Sequence, residues 1–520
     1  MFNKLAKSWS DNAPAPKVLS EHTHLKDPLV YRIKNLLLGR PINRHSLHEQ
    51  RLSKKNAYGV LSSDCISSSA YGGEQILVAL IPAFGLAAFT IFTPIIGIIL
   101  IMLLIITFTY KDVINTYTKT GGAYVVAREN FGKVISQIAA IELIFGYILT
   151  VAIQTAAGVA AIISAIPELT EYKVLLTVTV IALLTYINLR GIKDAGLVFV
   201  IPSYLFILAM FTVFLFGLYR NFTGNLPTYP TDTQGLLPLG EPQGLLSLAA
   251  ILLILKAFAN GSASLTGLEA ISDSVALFKE PEHNNARKTL MLMSATLATL
   301  IIGIAWLAHK VVAIPYQEGT PTVISLVAQA ALGDNLFGQG FYYFVQASTT
   351  FILFAGANTC FNAFPNMVNI VANDGFLPKQ LTKRGHRLAF SNGIIFISSF
   401  AVILVIASSA SITTLAAIYA LAVFIGFALT GFGMAKRNRG NKGKFYLHLS
   451  TGVIAITTVI LLSALKFADG TWIVVIGTPL IAFIMLRFNQ RYTQENQALI
   501  VSSKDSRATS ITRHDVTVLI

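Results

Sequence analysis

Acidic residues stand inside two stretches of the chain that are expected to cross a membrane. Asp64 lies in SSDCISSSAYGGEQIL, Ser62 to Leu77, and Glu269 lies in ANGSASLTGLEAISD, Ala259 to Asp273. Serine and glycine alone would be explained by close helix packing. A carboxylate at membrane depth is expensive and marks by default a pathway or a binding site. Since carboxylate, hydroxyl and carbonyl oxygens are the ligands of hard cations, the two stretches predict ion chemistry within the bilayer.

The same two stretches also predict interrupted helices. Tyr71, Gly72 and Gly73 suit an unwound backbone better than a helix, because glycine tolerates conformations that other residues avoid. Corresponding interruptions in the two halves of a membrane protein are the best sequence pointer to a transporter site. We therefore expect a binding site near the middle of the membrane, built where these two helices break.

The elements that position these residues are membrane helices. The chain has 520 residues, of which 54% are hydrophobic and only 12% charged, whereas a soluble domain carries about 25% charge. The only cysteines, Cys65 and Cys360, lie in apolar segments and predict neither a disulfide framework nor a metal cluster. The composition predicts an all-α polytopic membrane protein.

Twelve apolar runs are long enough to span a bilayer as helices, which takes about 20 residues each. They centre on residues 59–85, 88–110, 134–165, 172–189, 195–218, 244–277, 289–313, 337–360, 388–409, 411–435, 446–466 and 471–487. The interrupted stretches fall in the first and the sixth of these runs.

The distribution of the basic residues predicts which side of the membrane each loop faces. With the N-terminus inside, thirty-four of the 39 Lys and Arg residues fall in the segments on that side and four fall opposite. This asymmetry predicts both termini on the cytoplasmic face of the cell membrane. It also explains the net charge of +14, so no nucleic-acid partner is expected, and the lipid bilayer is the expected partner.

The chain divides into a transporter-like body and two tails. Residues 1–55 are expected to form a cytoplasmic N-terminal tail, residues 56–490 the membrane domain, and residues 491–520 a cytoplasmic C-terminal tail. Within the domain, one repeat covers about 56–220 and a second about 244–435, with two further helices after them. Homodimer formation through these last two helices is a possibility that the sequence leaves open.

These segments resemble the amino acid–polyamine–organocation (APC) superfamily over roughly residues 56–490. Besides the two interrupted stretches, TGGAYVVARENFG (Thr120 to Gly132) is similar to its signature between spans 2 and 3. NIVANDGFLPKQLTKR (Asn369 to Arg384) is similar to its loop after span 8. The resemblance implies an inverted repeat of five plus five helices, with broken helices 1 and 6.

Within the superfamily, SSDCISSSAY and LTGLEAIS look most like the KimA-type potassium–proton symporters. The resemblance implies potassium and a proton as the transported species and no cofactor. It implies that seven residues surround the potassium ion: Asp64, Tyr71, Tyr147, Thr150, Thr266, Glu269 and Tyr419. Of these, Asp64, Thr150 and Thr266 are the expected direct ligands, Glu269 the expected carrier of the coupling proton, and Tyr71 and Tyr419 candidate gates.

The sequence departs from that family at two positions. Gly146 replaces an aspartate just before the span-3 tyrosine, and Gln154 replaces a small hydroxyl residue. The first change removes one carboxylate from the expected ion path.

Four other ionisable residues are expected in or near the spans. Lys256 is expected near the break in span 6. There it would pair with Asp64 or Glu269, or replace a coupling sodium ion as a fixed charge. Alternatively, its long side chain would extend to the membrane–water interface. Glu74 is expected at the start of a half-helix. Glu142 and Asp273 are expected near the cytoplasmic ends of spans 3 and 6.

Two transport functions remain open from the sequence. The first is proton-coupled potassium import, favoured by Asp64 and Glu269 beside the breaks. The second is a proton-coupled amino acid permease on the same fold, favoured by Gly146 because a substrate carboxylate prefers a less acidic site. An enzyme is not expected, because the histidines form no cluster with acids or cysteines along the chain. No Gly-x-x-x-x-Gly-Lys-Ser/Thr phosphate loop is present in the sequence either.

Overall fold

The structure, a computed structural model, describes residues 51–117, 121–190, 200–241, 247–383 and 390–498. Its regular structure in these ranges is helical, apart from two isolated β-bridges. The helices are α1 Lys54–Leu61, α2 Ser63–Ser67, α3 Ser69–Phe84, α4 Ala88–Thr116, α5 Gly122–Phe131, α6 Lys133–Ala165, α7 Lys173–Leu189, α8 Val200–Phe222, α9 Leu248–Gly261, α10 Ala270–Asp273, α11 Glu282–Val311, α12 Val323–Leu332, α13 Leu336–Asn373, α14 Ser391–Ala407, α15 Ile412–Arg437, α16 Lys442–Leu465 and α17 Trp472–Ala498. The expected all-α class is confirmed.

Within the described ranges, nine helical runs are long and apolar enough to cross a membrane. They are Ser63–Thr116, Lys133–Ala165, Pro167–Leu189, Val200–Phe222, Leu248–Asp273, Glu282–Val311, Ile412–Arg437, Lys442–Leu465 and Phe467–Gln497. A helix satisfies its backbone hydrogen bonds internally, which the bilayer core requires. Large side chains such as Leu215 and Ile460 remain more than half exposed on the outer helix faces, as contact with lipid tails allows. The chain is therefore a multi-pass membrane protein.

Most of the two predicted tails lies outside the described residues, namely positions 1–50 and 499–520. The same holds for Thr120 and Arg384, at one end of each APC-like stretch. Helix α12 was not among the predicted elements. It is a ten-residue apolar helix between α11 and α13, shorter than a membrane span.

The expected break in span 6 is confirmed. Helix α9 ends at Gly261, one 3₁₀ turn follows, and Thr266 is extended with φ −68° and ψ 151°. Gly267 then adopts φ +83°, a left-handed conformation that favours glycine. A Cβ at this position would lie 2.9 Å from the Asp64 carboxylate carbon, so glycine also permits the close approach of spans 1 and 6. The break therefore brings span 6 backbone directly against Asp64.

The expected unwinding of span 1 at its glycines is wrong. Tyr71, Gly72 and Gly73 lie inside helix α3, and span 1 is interrupted only at Ser62 and Ser68, which keep near-helical angles. The reason is packing: a Cβ at Gly72 would lie 2.3 Å from Cβ of a serine in span 6, so this glycine permits close helix contact.

Helix α6 forms the centre of the bundle and presents the span-3 residues to the site. It packs against α13 on one side and against α15 and α5 on others, and its apolar window is the most buried of the candidate spans. Tyr147, Thr150 and Gln154 follow one another at spacings of three and four along this helix, so they share one face. A buried helix with a polar face needs polar partners, which spans 1 and 6 supply.

Candidate functional site

A small cavity lies where spans 1, 3, 6 and 10 meet. Its volume is about 20 Å³, and its lining consists of Asp64, Tyr110, Ala123, Glu142, Leu143, Gly146, Tyr147, Thr150, Glu269, Ala270, Ala422, Val423, Gly426 and Phe427. A cavity of this size holds about one water-sized particle. Three carboxylic acids and no basic residue line it, so its charge suits a cation or a proton.

Asp64 and Glu269, the two acids singled out in the sequence, line the same cavity. Asp64 is 4% exposed, and its carboxylate accepts a hydrogen bond from Gln154. Glu269 lies at the end of the span-6 break, and within the described chain its Oε2 atom is buried without a hydrogen-bond partner. A buried acceptor without a partner is costly and indicates a place for a proton or a cation.

The two predicted residues of span 3 also line the cavity. Thr150 uses its hydroxyl to donate to the carbonyl of Gly146 at 2.9 Å, which leaves its oxygen lone pairs available. Tyr147 donates to the carboxylate of Asp273 at 2.6 Å and so ties span 3 to span 6.

The other three predicted site residues lie outside the lining of this cavity. Thr266 is fully buried and donates to the carbonyl of Ala263 at 2.8 Å, closing the turn at the break. Tyr71 and Tyr419 are buried aromatic residues of spans 1 and 10. The structure therefore unites Asp64, Glu269, Tyr147 and Thr150, and leaves Thr266, Tyr71 and Tyr419 beside them.

The expected pairing of Lys256 with Asp64 or Glu269 does not form. Its ammonium group lies 3.7 Å from Asp469 at the junction before α17, and 35% of its side chain is exposed. The same Asp469 carboxylate also pairs with Lys466 at 2.9 Å. The position of Lys256 along span 6 indicated that this residue lies deep in the membrane, near the break. The helix face that carries Lys256 nevertheless points away from the break.

Glu74 was expected to stabilise the start of a half-helix in its own span, but it contacts the start of a different helix. Its Oε2 atom accepts a hydrogen bond of 3.1 Å from the amide of Val323, the first residue of α12. A carboxylate favours the positive end of a helix. Glu74 thus joins span 1 to the α12 helix, rather than stabilising a half-helix of its own span.

Sequence reasoning missed three residues around the cavity. Glu142, which was expected only near one end of span 3, lines the cavity and accepts a hydrogen bond from Thr478 at 2.7 Å. Tyr110 lines it from α4. Asp273 is 4% exposed and lies against Gly122 of α5. For Asp273 a signal existed, since it follows Glu269 by four residues and so shares its helix face.

The stretch between spans 2 and 3 forms a connecting helix, α5, that is bonded to the end of α13. Arg128 contacts Asp374 at 2.6 Å, and the Tyr124 hydroxyl donates to the same carboxylate at 2.6 Å. Burial first, and the Asp374 carboxylate second, raise the pKa of Tyr124 above its usual range. The two APC-like stretches noted in the sequence therefore contact each other.

Comparison with known proteins places the chain in one family. The family model described as "Amino acid permease" matches residues 54–495. The chain is 36% identical over 482 residues to the potassium transporter KimA of Bacillus subtilis (strain 168), covering 92% of this chain and 77% of that protein. The resemblance seen in the sequence is confirmed, and the chain belongs to the amino acid permease family of membrane transporters.

Proposed function

We propose that this transporter imports potassium together with protons by alternating access. The observation that carries the proposal is the cavity of about 20 Å³ lined by Asp64, Glu269 and Glu142. A dehydrated potassium ion is close to a water molecule in size, and carboxylates supply the negative charge that a cation needs in a low-dielectric site. The similarity to a potassium transporter supports the same substrate.

In this proposal Asp64 and Thr150 are direct potassium ligands and Glu269 carries the coupling proton. Asp64 and Thr150 offer oxygens at the cavity, while Thr266 stands at the break behind them. Buried carboxylates that share one cavity exchange protons as a coupled group. Protonation of Glu269 would change the charge that potassium meets, which links the movement of the two ions.

A proton-coupled amino acid permease is the second candidate. The family description and the absence of a carboxylate at Gly146 favour it. Against it stands the size of the cavity, since an amino acid zwitterion is several times larger than a water molecule. The acidic lining also opposes binding of a substrate carboxylate.

We further propose twelve membrane crossings with both termini in the cytoplasm, arranged as two inverted repeats of five helices. The run Ser63–Thr116 has 54 residues, more than twice the length of one span, and it turns at Gly85 with φ +55°. Helices α13 and α14 add two crossings of their own. The Lys and Arg distribution supports the orientation.

The contacts on the two sides of the site support alternating access. On one side Tyr147 and Gly122 close against Asp273. On the other side Glu74 closes against the α12 amide of Val323. Glu74 in span 1 and Asp273 in span 6 would be related by the proposed inverted repeat, because each meets the start of a connecting helix. Opening one contact while the other remains would expose the site to one side at a time.

The test is uptake by the purified protein in potassium-free liposomes that contain a pH-sensitive dye. Potassium added outside is expected to acidify the lumen, because each imported ion brings a proton. A panel of amino acids is added in parallel and is expected to cause no change. Acidification by an amino acid but not by potassium would contradict the proposal and establish the second candidate.

Changing Lys256 to glutamine is expected to alter potassium uptake by less than about fivefold, because exposed ion pairs contribute roughly 0–1 kcal/mol. Lys256 and Asp469 are 35% and 42% exposed in their pair. Initial rates are measured in the same liposomes at matched protein amounts. Loss of coupled uptake in this variant would mean that Lys256 acts as a fixed coupling charge.

A further inference from the structure

The amide of Gln154 holds Asp64 at two oxygens. Its Nε2 atom donates to Asp64 Oδ1 at 2.5 Å and to the Asp64 backbone carbonyl at 3.1 Å. Gln154 is fully buried in helix α6. A hydrogen bond to a charged group is shorter and stronger than one between neutral groups. The side chain and the main chain of Asp64 are therefore bound to the same nitrogen.

The other end of the amide faces span 8, where the Gln154 Oε1 atom is buried without a hydrogen-bond partner among the described residues. A Cβ at Gly356 of α13 would lie 1.8 Å from Gln154 Oε1 and 2.7 Å from its Cδ. Only glycine leaves room for the amide here. Reversing the amide would place its oxygen against the Asp64 carboxylate, where two acceptors repel, so the nitrogen is the atom that faces Asp64. Gln154 is thus held in one orientation between Asp64 and the α13 backbone.

Gln154 acts on the cavity only through Asp64. Asp64 lines the cavity, and Gln154 does not. A restrained carboxylate presents one oxygen geometry to an ion, whereas a free carboxylate can rotate and bind a smaller ion through both oxygens. Ion selectivity follows from cavity size, ligand number and ligand flexibility. Restraining the Asp64 carboxylate therefore weakens the binding of a small ion such as sodium more than the binding of a larger ion such as potassium.

We propose that Gln154, seated against Gly356, is a positioning residue that fixes the Asp64 carboxylate and gives the site its preference for potassium over sodium. This inference rests on the proposed function, since it assumes that potassium binds at the cavity. It assigns a role to Gln154, the position where this chain differs from the small hydroxyl residue of the family it resembles.

The first test changes Gln154 to methionine, which keeps the length of the side chain and removes both donors. The half-saturation concentration for potassium is expected to rise about tenfold, as for loss of a hydrogen bond to a charged group. Sodium in excess, without effect on the unchanged protein, is expected to compete with potassium in this variant. The maximal rate is expected to change by less than about threefold, because the coupling residue is retained.

The second test changes Gly356 to alanine, which keeps every atom of Gln154 but displaces its amide. The same loss of discrimination between potassium and sodium is expected. Gly340 lies in the same helix, and a Cβ there meets nothing within 4 Å, so Gly340→Ala is the matched control and should retain the unchanged selectivity. If Gln154→Met does not fold, the comparison of Gly356→Ala with Gly340→Ala tests the proposed role of Gln154.

A binding measurement separates this inference from the proposed function. Thermal unfolding of the detergent-purified protein is followed in potassium, sodium and choline chloride, because a bound ion stabilises the folded state. If the unchanged protein is neither stabilised by potassium nor transports it, the proposed function fails. If the unchanged protein responds to potassium, and both Gln154→Met and Gly356→Ala keep its potassium-to-sodium ratio, the inference alone is overturned.

Discussion

Replacing Asp64 with asparagine is expected to lower potassium uptake by at least about 100-fold, through loss of charge at the cavity. Two unit charges about 4 Å apart interact by about 4 kcal/mol at an effective dielectric constant of about 20. Asp64 is 4% exposed and lines the cavity, so water cannot substitute for its charge. Uptake of radioactive rubidium into potassium-loaded liposomes measures the loss without requiring a proton gradient.

The matched control for Asp64 is Asp232→Asn, the same chemical change at an exposed carboxylate outside the lining of the cavity. This control should keep uptake within about twofold of the unchanged protein, because surface substitutions away from such a site usually change free energies by less than about 0.5 kcal/mol. Asp64 and Gln154 are mutually bonded, so Asp64→Asn is also checked for folding by size-exclusion chromatography in detergent. A folded Asp64→Asn protein with normal rubidium uptake would remove Asp64 from the ion site.

Replacing Glu269 with glutamine is expected to abolish accumulation of potassium driven by protons while leaving ion exchange intact. Glutamine has nearly the shape of glutamate but cannot bind and release a proton. The Oε2 atom of Glu269 has no hydrogen-bond partner within the described chain, so no existing contact is broken by the change. Internal acidification on adding potassium should disappear, and exchange of rubidium for internal potassium should stay within about threefold, since the transition between states remains possible.

The two acidic variants are expected to differ from each other. Asp64→Asn should lose both exchange and accumulation, whereas Glu269→Gln should lose accumulation alone. Glu129→Gln, the same change at a carboxylate that is 52% exposed, serves as the control and should acidify normally. Full proton-driven accumulation in Glu269→Gln would assign the coupling proton to another carboxylate, with Asp273 and Glu142 the nearest candidates by position.

Part of this molecule is predictable from the sequence because it depends on local composition. Low charge and apolar runs of span length predict a multi-pass helical protein, since each helix satisfies its own backbone in lipid. The break in span 6 follows from Thr266 and Gly267, where an extended residue is followed by a left-handed glycine. Asp64 and Glu269 stand out because isolated carboxylates in apolar runs are rare and costly.

Other features depend on which helix faces meet, which local composition does not determine. Gly72 was expected to unwind span 1, but it remains helical because span 6 approaches it closely. Lys256 was expected at the break, but a residue's depth along a helix does not determine the direction it faces. Its partner Asp469 comes from a distant turn of the chain.

The sequence by itself determined the class of the protein, its likeness to the APC superfamily and the two acids at the centre of the site. These are properties of residue type and spacing along single helices. Only the tertiary structure decided that Gln154 holds Asp64, that Glu142 joins the cavity, and that Asp273 contacts Tyr147. Each of these contacts joins residues far apart in the chain or depends on the rotation of one helix against another. Rotation and register are set by the packing of the whole bundle, so they could be observed only once that bundle was assembled.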